Sequence, residues 1–391
     1  MRVVIAPDSF KSTMSAAIAA RAIAEGWAQV RPGDDLILRP MADGGEGTLD
    51  AFAALPGAQR IPVDVVDALG SPRRASWVRL ADGAAVVELA ECCGLTTVNH
   101  LAPREAHTLG FGLAIRAALE AGAPRLLLAI GGSASTDGGL GLLVALGARP
   151  HGEGISGDLE ISLPEEGVGV DYPHRGPESE ELSQAPRHPA LGNAALEGIS
   201  RVDWADVLPL PPGGALILSD VTNPLLGPEG AAAVFGPQKG GASLVAEMDR
   251  NLGAWTSVLG GDPGAPGAGA AGGAGFALQR WGAVTTSGAG TVAEAIGLPE
   301  ALREADLVIT GEGSFDAQTV SGKVVDVVRR LAADTAAERG RGLPVALVAG
   351  RLEAGFKGPA VALWDIAGER ALGDAAGVAR EAAAELARQL S

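Results

Sequence analysis

Apolar strands alternating with helical patterns predict an α/β protein built on a mostly parallel sheet covered on both faces. Three observations carry this. One unit recurs along the chain: an apolar run ends in a loop of Gly, Ser, Thr, Asp or Asn, and a helical pattern follows. Hydrophobic residues make up 47% of the 391 positions but aromatics only 4%, so Ala, Val, Leu and Ile must fill the core. The rhythm breaks between residues 61 and 89 and returns near Thr285. That break predicts a second α/β domain, residues 63–285, inserted into a discontinuous first one, residues 1–62 and 286–391. Two domains also suit the length.

The first strand is Val3-Val4-Ile5-Ala6, which leads through PDSFKSTMS into the helical AAIAARAIAEGW. Leu36-Ile37-Leu38 leads through RPMADGGEGT into LDAFAAL. IPVDVVDALGSPRRASWVRLADGAAVVEL reads as short alternating strands with turns at Gly70-Ser71-Pro72 and Asp82-Gly83. Leu126 to Ile130 leads through GGSASTDGG into LGLLVALG, and Leu216-Ile217-Leu218 leads to SDVTNPLLGPEG. Leu307-Val308-Ile309 opens the next unit, and Val345 to Val348 followed by AGRL is a shorter last one. Residues 151–192, rich in Gly, Pro, Glu and His, read as a long surface excursion, an inert loop in preference to a lid or an oligomer contact. In such sheets the loops at the carboxyl ends of the strands gather on one edge, where ligands bind.

The net charge of −17 argues against nucleic acid or an anionic membrane as partner. No apolar run approaches the ~18 residues of a membrane span, and MRVVIAPDSF is not a signal peptide. Cys92 and Cys93 are adjacent and read as reduced thiols in a core, in a cytoplasmic setting. The five histidines are too scattered for a zinc site.

The richest stretch is DLVITGEGSFDAQTVSGK, residues 306–323. A strand gives way to Gly311-Glu312-Gly313, then Asp316, Gln318 and Thr319, then Gly322-Lys323 before a helix. Strand, polar glycine loop and helix together form the usual phosphate site of open α/β sheets. It is not the P-loop motif, because Ala317 stands where the first Gly belongs and Val324 follows Lys323. Only four of the 30 basic residues are lysine, and Lys11, Lys239 and Lys323 all lie in loops punctuated by Gly or Pro. Acidic residues also stand at strand ends: Asp8 before Lys11, Asp43 and Glu46 around Gly44-Gly45, Asp220, and Asp316. Ser133, Ser135 and Asp137 lie in a glycine loop that either cradles a carboxylate or caps a helix. A formal G-x-G-x-x-G at Gly267, Gly269 and Gly272 has no preceding strand, which argues against a dinucleotide fingerprint.

APDSFKSTMSA, MADGGEGT, IGGSASTDGG, SDVTNPLLGPEGAAAVFGPQKGG, PGAGAAGGAGFAL and DLVITGEGSFDAQTVSGK, in this order, resemble the bacterial glycerate kinase family (type I, the glycerate 2-kinase group). The resemblance covers nearly the whole chain. Two positions depart from it: Ser12 replaces a glycine, and Thr136 replaces an asparagine. Both keep their loops small and polar. The resemblance implies a flavodoxin-like domain made from both chain ends, an inserted α/β domain, and an active site in the cleft between them. It further implies transfer from ATP to D-glycerate, giving 2-phosphoglycerate, with Mg²⁺.

On this basis Lys323 and Gly311, Glu312 and Gly313, with Gln318, Thr319 and Gly322, are expected at the nucleotide phosphates. Asp220 or Asp316 would hold Mg²⁺ or take the hydroxyl proton, and Lys11 would neutralise charge. Asp8, Ser9, Asp43, Ser133, Ser135 and Asp137 are expected at the substrate. Transfer to the 3-hydroxyl or to another small hydroxy acid, a nicotinamide-dependent dehydrogenase, and a non-catalytic organic-acid sensor are the competing readings. A monomer or homodimer is expected.

Overall fold

The computed structural model describes residues 1–10, 13–152, 191–315, 324–353 and 355–391. In chain order the strands are β1 (Arg2–Pro7), β2 (Asp35–Leu38), β3 (Gln59–Val66), β4 (Pro72–Arg79), β5 (Ala85–Glu88), β6 (Leu126–Ala129) and β7 (Arg149–Gly152). β8 (Ile199–Asp203), β9 (Ala215–Leu218), β10 (Val284–Thr286), β11 (Leu307–Phe315), β12 (Val345–Leu352) and β13 (Ala360–Ala362) follow. Two compact units form: Met1–Ala58 with Leu218–Asp220 and Thr286–Ser391, and Gln59–Ile217 with Val221–Thr285. The sequence reading drew the first boundary at residue 62. β3 begins at Gln59 and pairs along its length with β4, so it goes whole to the second unit. Pro62 is tolerated inside β3 because that strand lies at the sheet edge.

The first unit holds one five-stranded sheet, ordered β2-β1-β11-β12-β13, whose neighbouring strands pair in parallel. Within this unit that is strand order 2-1-3-4-5, the flavodoxin-like arrangement. Period-two alternation divides its residues between the two faces. Val3, Ile5, Ile309, Ala346 and Val348 pack with Ile23 and Trp27 of the helix Ala16–Val30 and Val378, Ala382 and Leu386 of the helix Ala375–Gln389. Leu347 and Ala349 face the other way, against Val325 of the helix Val324–Arg339. Ser15 caps the first of these helices by accepting the Ile18 N–H at 3.4 Å, and Asp374 caps the last by accepting that of Gly377 at 3.0 Å.

The second unit carries a six-stranded sheet ordered β10-β9-β6-β5-β4-β3. β5 and β6 run parallel, but β3, β4 and β5 form an antiparallel meander, the source of the broken rhythm between residues 61 and 89. Its core gathers Trp77, Phe111, Leu128, Trp255 and Phe276. Cys92 and Cys93 are free and buried here; burial pushes the Cys93 thiol up to about 12 and the Cys92 thiol well above the ordinary range. β7 and β8 form a separate antiparallel pair that the sequence reading did not anticipate. They flank residues 153–190, the bulk of the expected surface excursion, which lie outside the described residues. Among the described residues no helix is long and apolar enough to cross a membrane.

Candidate active site

In a sheet of order 2-1-3-4-5 the direction of winding reverses between the first and third strands, and a crevice opens beyond their carboxyl ends. Here those strands are β1 and β11. The Asp8 N–H donates to the Gly311 carbonyl at 2.8 Å, which closes the ladder at that point. A cavity of about 350 Å³ lies beyond it, within the first unit. Asp8, Ser9, Phe10 and Thr13 line it from the β1 side, Glu312, Gly313 and Ser314 from β11, and Asp43 from the loop after β2. Gly350 and Arg351 of β12 and Leu363, Trp364, Ala371 and Leu372 complete the wall. Asp8 is buried, and its Oδ1 accepts the Ser9 N–H at 2.6 Å.

Asp220 is set by three segments of the same unit, brought close by glycine. Gly44 has φ +94°, and a Cβ there would fall 2.2 Å from the Leu218 carbonyl oxygen. A Cβ on Gly288 would fall 2.1 Å from the Asp43 carbonyl oxygen. Only residues without a side chain allow the Asp43 loop, the end of β9 and the start of the helix Gly288–Ala295 to approach this closely. The result is a carboxylate held at a helix N-terminus: Asp220 Oδ2 accepts the Ala289 N–H at 3.2 Å, and Ser287 also hydrogen-bonds to it. Ser287 in turn caps that helix, its Oγ accepting the Gly290 N–H at 3.1 Å. Burial pushes the Asp220 carboxyl above its ordinary value, and the charge of Asp43 adds to the shift. Donation from Ser287 and the backbone amides of Ala289 and Gly288 partly offsets both.

Ser133, Ser135 and Asp137 belong to the second unit. Asp137 is fully buried and accepts from Thr108 N (2.8 Å), Thr108 Oγ1 (2.7 Å), Gly141 N (3.1 Å) and Gly139 N (3.2 Å). These donors make it a brace between the helices Leu109–Glu120 and Leu140–Ala145, the capping alternative of the sequence reading. Ser133 and Ser135 are buried, with their Oγ atoms 3.1 Å apart. Lys239 is 2% exposed, and its ammonium donates to the Ser135 carbonyl. Burial lowers the Lys239 ammonium to about 8, with the charge of Asp137 opposing the shift.

Gly311, Glu312 and Gly313 are not a loop: β11 runs on to Phe315, with Gly311 opposite Val348, Glu312 opposite Ala349 and Ser314 opposite Arg351. Glycine takes up extended geometry as readily as a turn, and β12 is long enough to pair with it. Glu312 and Gly313 still reach the cavity, whereas Gly311 is buried in the sheet. Lys11, Asp316, Gln318, Thr319, Gly322 and Lys323 lie outside the described residues. The sequence reading missed Ser287, whose signal was a serine placed before a Gly-rich helix start, and missed Arg351, Trp364 and Leu372. Gly267, Gly269 and Gly272 follow the helix Val245–Leu259 with no strand between, so they do not form a dinucleotide fingerprint.

Among the described residues no three His, Cys, Asp or Glu side chains gather as a metal site. Asp43 and Asp220 form a neighbouring pair of hard oxygen donors. That suits Mg²⁺, which takes one or two carboxylates and completes its shell with phosphates and water.

A flavodoxin-like sheet with carboxylates at its switch point, joined to a second α/β unit, defines an α/β enzyme acting on a small polar molecule. Residues 3–157 and 180–390 match the model of the glycerate kinase family, and the chain belongs to that family of phosphotransferases. It is 36% identical over 334 residues to the glycerate kinase of Bacillus subtilis (strain 168), an alignment covering 83% of this chain and 79% of that one. It is also 36% identical over 342 residues to the glycerate 2-kinase of Escherichia coli (strain K12), covering 83% and 80%. The crystal structure of "putative glycerate kinase 2" from Salmonella typhimurium LT2 superposes with a TM-score of 0.75 at 34% identity, covering 100% of this chain and 98% of that one.

Proposed function

We propose that this chain transfers the γ-phosphoryl group of ATP to the 2-hydroxyl of D-glycerate, giving 2-phosphoglycerate. The family supports the substrate, and the relative named glycerate 2-kinase supports the position. Within the site, the observation that carries the reading is Asp220: a half-buried carboxylate, fixed by Ser287 and Ala289, with its proton affinity raised. Phosphoryl transfer asks little covalent chemistry of a protein; it needs positioning, charge neutralisation and a group to receive the hydroxyl proton. Asp220 receives that proton, because a carboxylate with raised affinity is a better base near neutral pH.

Asp43, the carboxylate beside Asp220, would hold Mg²⁺, and Asp316 is the further metal candidate from the sequence; when bound, the ion would neutralise charge on the phosphate oxygens. Lys323 and Lys11 are the proposed cations at the phosphates, with Gln318, Thr319 and Gly322 beside Lys323, again on sequence grounds. The two free, buried cysteines agree with a reducing compartment, so we place the enzyme in the cytoplasm.

The test is a kinetic comparison of wild type with Asp220→Asn, which keeps the size and the acceptor oxygen but not the basicity. Loss of a general base costs about a hundredfold or more in kcat, with ADP affinity kept within a few-fold. An Asp220→Asn enzyme within threefold of wild type would remove Asp220 from this role.

A further inference from the structure

The lining of the first-unit cavity is of two chemical kinds, drawn from different ends of the strand order. Asp8, Asp43 and Glu312 come from the β2, β1 and β11 side. On the other side Leu363 and Trp364, at the start of the helix Leu363–Ala367, and Leu372, on the following turn, form an apolar wall. The Arg351 guanidinium lies 3.7 Å from the centroid of the Trp364 ring, which fixes the plane of that ring. Leu372 is 62% exposed and lines the cavity, so among the described residues the wall presents an apolar side chain to solvent.

Of the two substrates, only one matches this wall. D-Glycerate has three carbons, each bonded to oxygen, and so offers no apolar face. ATP has a single flat, uncharged, weakly polar body, its adenine ring. A neutral ring incurs no repulsion from the three carboxylates of the lining, and the one cation of the described lining, Arg351, is engaged with the Trp364 ring. The cavity of about 350 Å³ falls within the ~300–1,000 Å³ of small-ligand sites, and it lies at the switch point where nucleotides bind in sheets of this order.

We propose that Trp364 and Leu372, backed by the core residue Leu363, form the nucleobase subsite of this enzyme, with Arg351, which shares the cavity wall and contacts the Trp364 ring, as the positioning residue. The proposal rests on the kinase reading above and assigns the adenine end of ATP to the first unit. Adenosine, which has the ring but no phosphate, then competes with ATP and not with D-glycerate.

Two variants test this. Leu372→Ser alters an exposed side chain and leaves the fold intact; it raises KM for ATP about tenfold, more than it changes KM for D-glycerate, and weakens adenosine inhibition to match. Trp364→Leu does the same and also releases Arg351. The proposal is overturned if adenosine competes with D-glycerate, if it fails to compete with ATP, or if both variants keep KM for ATP within twofold of wild type. Should wild type transfer nothing to D-glycerate, the kinase reading fails separately. The subsite is then read by displacing N-methylanthraniloyl-ADP with adenosine: displacement in wild type that is lost in Leu372→Ser supports it, and no displacement in wild type overturns it.

Discussion

Asp220 is held between opposing influences, and that balance sets its expected behaviour with pH. Burial and Asp43 raise its affinity for a proton, and Ser287 lowers it. The acid limb of kcat/KM is therefore expected above the ordinary aspartate range. Ser287→Ala removes a donor to the charged form, so the limb should move to still higher pH; it also strips a helix cap worth about 1 kcal/mol. A limb that stays in place or moves down would show that Asp220 does not titrate in catalysis. Lys239 makes a stability prediction instead. In the folded chain burial lowers it to about 8, from 10.5. Between those values the unfolded chain binds the extra proton, so stability rises with pH across this window. Relative to Lys239→Met, wild type should gain roughly 3 kcal/mol between pH 7 and pH 10.5. Denaturant unfolding at several pH values reads this, and the opposing effect of the buried thiols cancels in the difference. Both Asp220 and Asp43 were legible in the sequence, because Asp220 stands at the end of an apolar strand and Asp43 opens a glycine turn. The burial of Lys239 was not, since a lysine among glycines reads as an exposed loop residue; its contact with the Ser135 carbonyl joins positions far apart in the chain.

Elements explain why glycine recurs around Asp220. The turn at Gly44 combines a left-handed φ with close backbone approach. Gly44→Ala adds both a conformational penalty and a collision with the Leu218 carbonyl, and should cost about 2–4 kcal/mol. Because the turn also places Asp43, activity should fall even where the variant remains folded, as thermal melts read beside kcat would show. A variant as stable and as active as wild type would mean that the three segments are not locked together. Strand existence was plain from apolar runs such as Val3–Ala6 and Leu126–Ala129. Strand ends were less plain: β11 continues through Gly311-Glu312-Gly313, where composition alone suggests a loop. β7 and β8 were hidden because their partners are separated by the long segment between them. The apolar wall at Trp364 was equally hidden, since a tryptophan in a short helix reads as core and only the fold brings it beside Arg351.

For the whole molecule, alternation of strand and helix was enough to predict α/β units, and the break at residues 61–89 marked a change of sheet. Strand order was not readable from alternation, because it depends on which strands the crossovers bring side by side. Only the assembled order 2-1-3-4-5 puts β1 beside β11 and so joins Asp8 with Glu312 at one cavity. The acidic chain, with its net charge of −17, must bind anionic substrates through local donors and cations, since its overall field repels them. The most direct test of the proposed reaction is turnover with ATP, Mg²⁺ and D-glycerate, coupled to enolase with no phosphoglycerate mutase present. Phosphoenolpyruvate should form, because enolase accepts only the 2-phosphorylated product. ADP release without phosphoenolpyruvate would contradict transfer to the 2-hydroxyl, and neither product would contradict the kinase reading itself.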